Sequence, residues 1–272
     1  MNAPKTDKPP LTEPAPLPAP ENETYLTGIA MPLGEAVVQM TLGGQPAYGI
    51  LQRSRAFTEQ SDFFRVQFRG YARQADGRWL PMEGDDAQLH NTYNCAWVRL
   101  DHPSRTALFG PKGGIQLTPA FAGSGLDTFL FAQVILWAKG VRPDYSVSPG
   151  LVSMPSTTTE DERLQRNAFY ASQGFQFDWQ DSTQKTALYF KEKVGKLLGV
   201  WDAQAIRPFN GEDMLRMLAE QDTDRYDLEL RLHQLQHRQQ SLQMALQKER
   251  TTAQILMGVT VAALLFGLWA VL

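Results

Sequence analysis

Phe121-Ala122-Gly123-Ser124-Gly125-Leu126, continued by the apolar segment 128–138 and then Gly140, is the stretch that decides the fold. Leu126, Phe129, Leu130, Val134 and Trp137 recur at helical spacing, and Gly140 stands where a left-handed glycine would end the helix. Just before it, Ile115-Gln116-Leu117-Thr118 reads as an apolar strand stopped by Pro119. The expected order is strand, glycine turn, helix. Such a turn aims unpaired backbone N–H groups and the positive end of a helix at whatever lies in front of it, which suits a pyrophosphate. A tight connection with no ligand is the plainer alternative.

Working outward, Tyr145-Ser146-Val147-Ser148 reads as a strand. A helix should then start near Ser156-Thr157-Thr158-Thr159-Glu160, where hydroxyls can cap and acids favour the first turn. It runs on to Asn167-Ala168-Phe169-Tyr170-Ala171-Ser172-Gln173-Gly174-Phe175, with strands expected at 176–179 and 186–190. Upstream, 36–42, 48–51, 63–71 and 95–100 have the composition or alternation of strands, and Asp76-Gly77 is a turn signal. Gly110-Pro111-Lys112-Gly113-Gly114 lacks the Lys-Ser/Thr and following helix of a phosphate loop and reads as a turn.

Gly123-Ser124-Gly125-Leu126 and, some forty-five residues on, Asn167-Ala168-Phe169-Tyr170-Ala171-Ser172-Gln173-Gly174-Phe175 together resemble the GNAT superfamily of acyl-CoA-dependent N-acyltransferases. In that family a glycine turn cradles the pyrophosphate of CoA, and a later helix ends in Asn-x-x-Phe-Tyr-x-x-x-Gly-Phe. The resemblance implies an α/β fold with a GNAT-like mixed sheet flanked by helices, acetyl-CoA as cofactor, and an N-acetyltransferase activity on an acceptor that is not specified. It implies that Gly123, Ser124, Gly125 and Leu126 face the pyrophosphate, that Asn167 holds the pantetheine side, and that Tyr170 protonates the departing thiolate. Ala122 stands at the family's basic or amide position and Asp127 at its second glycine, where a carboxylate repels a diphosphate. A catalytically inactive GNAT-fold scaffold or interaction module is therefore the competing expectation. No acid precedes the turn in 115–118, which leaves Glu83, Asp85 and Asp86 as candidate bases.

The ends of the chain carry a different message. Seven of the 17 prolines fall in 1–23, too poor in large apolar residues to offset ordering entropy, so a disordered arm is expected there. The domain is expected over 24–190, an amphipathic linker helix over 191–211 and a coiled-coil stalk over 212–254, with Leu228, Leu232, Leu235, Leu242 and Leu246 on its seam. Residues 255–272 carry no charge and would span about 27 Å as a helix, the length of a transmembrane tail anchor. Lys248 and Arg250 precede it, which puts the body of the protein on the cytoplasmic side. The expected partners are this membrane, a second copy through the coiled coil, and a protein partner. A net charge of −3 gives no footprint for nucleic acid. The lone Cys95 lies in an apolar run and reads as a buried thiol, and no His, Cys, Asp or Glu spacing calls for a metal.

Overall fold

The structure, a computed structural model, describes residues 21–112, 114–155 and 157–271, with the backbone alone at 262 and 264–271. The chain divides into two units, the first ending at Asn210 and the second starting at Gly211. The first is built on one mixed sheet of ten strands. These are β1 (Met31–Leu42), β2 (Gln45–Phe57), β3 (Ser61–Ala75), β4 (Arg78–Pro81), β5 (Cys95–Asp101), β6 (Thr106–Gly110), β7 (Ser146–Ser153), β8 (Gln176–Trp179), β9 (Thr186–Lys191) and β10 (Ile206–Phe209). Three helices accompany them: α1 (Glu23–Ile29), α2 (Leu126–Val141) and α3 (Glu160–Ser172). The strand order is β10-β1-β2-β3-β5-β6-β7-β9-β8, with β4 paired to β3 off this path.

Every pairing is antiparallel except β6 with β7, which is parallel and holds register only at Thr106↔Ser146 and Ala107↔Val147. Beyond those two pairs the strands part. The connection between them carries α2, as a parallel crossover requires.

Successive side chains of β3 point to opposite faces, so Phe64, Val66 and Phe68 enter the main core while Phe63 joins Leu26 of α1, Ala56 and Trp97 in a smaller one. Phe64 stacks on Trp137 of α2 at 4.7 Å. Helix α2 is apolar nearly all round because it is buried nearly all round, Leu126, Phe129, Leu130, Phe131, Val134 and Ile135 among the buried set. Each such side chain contributes about 1.5–3 kcal/mol.

Several expectations are corrected. Residues 115–118 are not a strand: they make one isolated bridge, Tyr93↔Gln116, and the strand ahead of α2 is β6. Asn94 explains this. Its side chain is buried and bonds both the Thr118 N–H (2.9 Å) and the Thr118 hydroxyl (3.1 Å), while its own N–H donates to the Gln116 carbonyl. Gly140 lies within α2 rather than beyond it. The expected linker helix over 191–211 is absent as well. That stretch is a strap with a single 3-10 turn, followed by β10, which pairs with β1 and carries the domain past 190. Its backbone bonds go elsewhere: Val194 N–H donates to the Tyr145 carbonyl, Gly195 N–H to the Pro143 carbonyl and Leu198 N–H to the Gln173 carbonyl.

The second unit is α4 (Gly211–Val271), a single helix of 61 residues. The stretch 212–254, read above as a stalk, lies within it, and Leu228, Leu232, Leu235, Leu242 and Leu246 are exposed along it. Among the described residues no helix is long and apolar enough to cross a membrane. Most side chains of the expected anchor at 255–272, and residues 1–20 of the arm expected over 1–23, lie outside the described residues, whereas Asn22 caps α1 and Glu23 begins it.

Candidate functional site

A cleft of about 280 Å³ is lined by Gly114 and Ile115 after β6, by Asp127 of α2 and by Glu162, Gln165, Arg166, Phe169 and Tyr170 of α3. Helix α3 forms one wall. Thr159 caps its start: the hydroxyl accepts from Glu162 N–H, and the Glu162 carboxylate accepts from Thr159 N–H at 2.9 Å. It ends at Gly174, whose φ of 86° belongs to the left-handed region. Gly174 N–H donates to the Ala171 carbonyl and Phe175 N–H to the Tyr170 carbonyl, the paired bonds of a Schellman end. The Gly-Phe pair thus has a structural reason. Gly174 reverses the chain, and Phe175 drops into the core beside Tyr170.

Tyr170 is 4% exposed. Its ring stacks on Tyr189 at 4.7 Å and meets Phe131, Phe169, Phe175 and Phe177 edge-on. Tyr189 can lie this flat because it crosses β7 at Gly150, where a Cβ would come within 2.2 Å of its ring. The Tyr170 hydroxyl reaches toward Gly114, 3.8 Å from where that residue's Cβ would be. Burial pushes the phenol up to about 12, against the pull of the Arg166 guanidinium. At neutral pH it keeps its proton, and the same burial makes it a weaker acid than a free phenol.

The other expected site residues are placed less uniformly. Gly123, Ser124 and Gly125 form the turn into α2, with Gly125 as its left-handed N-cap. The Ser124 hydroxyl donates to the Phe121 carbonyl and accepts from Leu126 N–H, so one helix-start donor is already engaged. Leu126 is fully buried in the core, and the next residue, Asp127, is the one that lines the cleft. Asn167 does not line it; its side-chain oxygen accepts from Arg166 at 3.0 Å. Glu83, Asp85 and Asp86 lie in or beside the 3-10 turn Gly84–Ala87 and line neither this cleft nor the next. Cys95 is buried, donates to the Asn91 carbonyl and is pushed up by burial. Among the described residues, no three His, Cys, Asp or Glu side chains gather as a metal site requires.

A second cleft, of about 540 Å³, opens on the α1 side of the sheet. Its lining includes Glu23, Thr24, Thr27, Arg65, Asn91, Trp97 and Lys112. Gly114 lines both clefts. Arg65 gave no signal in the sequence, where strand alternation marks it as one more polar residue of a half-exposed strand. The chain matches no protein-family profile, no curated protein and no solved structure.

Proposed function

We propose that the chain is an acyl-CoA-dependent N-acyltransferase of the GNAT type, acting on an amine acceptor. The observation that carries this reading is Tyr170, a phenol that keeps its proton, on the wall of the cleft beside Arg166. Acetyl-CoA would supply the thioester. With it bound and an amine displacing the thiolate, Tyr170 would be the residue to hand a proton to the departing sulfur, while the amine would lose its own proton to solvent. Arg166, on the same wall, then stabilises the phenolate.

A second reading is favoured by the charges at the cleft. Asp127 and Glu162 face it with Arg166 as the only cation among the described residues that line it, so a diphosphate approaching the start of α2 meets a carboxylate first. On that reading the domain is an idle scaffold. Under either one, α4 serves as a coiled-coil stalk joining two copies, with 255–272 as the membrane anchor and the sheet domain on the cytoplasmic side.

Calorimetric titration of acetyl-CoA into the full-length protein and its Asp127→Gly variant separates the readings. Micromolar binding to the natural protein, about −8 kcal/mol, is the outcome expected of the enzyme. Tyr170→Phe should then keep the binding and lose about 10²-fold or more in turnover. Binding to the glycine variant alone supports the scaffold, and binding to neither discards the cofactor altogether.

A further inference from the structure

Arg65 is 4% exposed, yet no carboxylate lies within 4.0 Å of its guanidinium among the described residues. Its partners are neutral: the Asn91 side-chain oxygen at 3.3 Å, the His90 carbonyl at 3.1 Å, the Asn91 carbonyl at 3.0 Å, and the Cys95 sulfur, which burial keeps as a thiol. Nε is buried without an acceptor. Carbonyls orient a guanidinium but do not cancel its charge, and a buried charge left without a counter-ion is unfavourable. The charge sits at the wall of the larger cleft. A ligand that brings a negative group there removes the penalty.

The rest of the lining narrows the chemistry. Lys112 adds one positive charge and Glu23 one negative, so with Arg65 the wall carries a formal charge of +1, which matches a monoanion better than a phosphate near two charges. The guanidinium fork fits a planar carboxylate. Trp97, 6% exposed, gives an apolar wall, and the hydroxyls of Thr24 and Thr27 suit a polar body.

We propose that this cleft binds a small molecule bearing a single carboxylate, with Arg65 as its counter-charge and Lys112 at the rim. The proposal goes beyond acyl transfer and stands without it, since it concerns equilibrium binding with no acyl-CoA present.

Thermal unfolding of the full-length protein tests it, with acetate and L-alanine as probes and chloride and inorganic phosphate as controls at equal ionic strength. The carboxylates should raise the unfolding temperature saturably, as a ligand of the native state does, and by more than phosphate or chloride. Arg65→Met should abolish the effect. Because that variant empties a buried position and can fail to fold, Lys112→Ala, at an exposed residue, gives an independent reading: carboxylate affinity should fall at least about threefold. A shift as large with phosphate, no saturable shift with either carboxylate, or an unchanged affinity in Lys112→Ala would each overturn the proposal.

Discussion

Tyr170 and Tyr189 show how packing sets chemistry one residue at a time. Each phenol is enclosed by aromatic rings, and burial raises both; for Tyr189 the neighbouring Tyr170 raises it further. A raised folded-state value favours the neutral form, so this contribution is whole below pH 10, where the unfolded phenol titrates, and is lost as pH climbs to about 12. Urea midpoints should therefore hold steady from neutral pH to about 10 and fall above it. In Tyr170→Phe the fall should be shallower, since one of the two phenols no longer titrates. An identical decline in wild type and variant would show that Tyr170 ionises as freely in the fold as out of it.

Among the elements, the strap before β10 is clipped at Val200 by one side chain. Gln173, fully buried, donates from its amide nitrogen to the Val200 carbonyl at 2.7 Å and accepts from Val200 N–H at 3.1 Å. Gln173→Ala should cost about 1–3 kcal/mol by leaving both backbone groups unpaired; an unchanged urea midpoint would mean the strap is held by other means. Such tertiary bonds are why the amphipathic spacing of Val194, Leu197, Leu198 and Trp201 misleads as a helix signal. Patterns that are satisfied locally were legible: the hydroxyl-capped, acidic start of α3 near 156–160, the Asp76–Gly77 turn and the alternation of β3. Features decided at a distance were not. Helix α1 is seven residues with a glycine in them, and 115–118 loses its strand character to a side chain on Asn94. Arg65 was missed for the same reason, because alternation marks one face of β3 as buried whereas α1 and the 88–94 loop cover the other.

At the scale of the molecule, α4 presents a leucine seam that nothing in its own unit covers, Leu235 at 66% and Leu246 at 60% exposure. A helix of 61 residues, about 90 Å long, with that seam should pair with a second copy. Sedimentation of the full-length protein should report an oligomer, and Leu235→Lys with Leu242→Lys should return it to a monomer whose sheet signal in circular dichroism is unaltered. A monomeric wild type at micromolar concentration would remove the stalk. The sheet, meanwhile, is completed late. One flank of β1 is covered by β2 as soon as the first hairpin forms, but the other waits for β10, made only when residues 206–209 leave the ribosome. At about 5–20 residues per second, that flank stays bare for roughly ten to thirty seconds of synthesis, during which its open amides can recruit strands from neighbouring nascent chains.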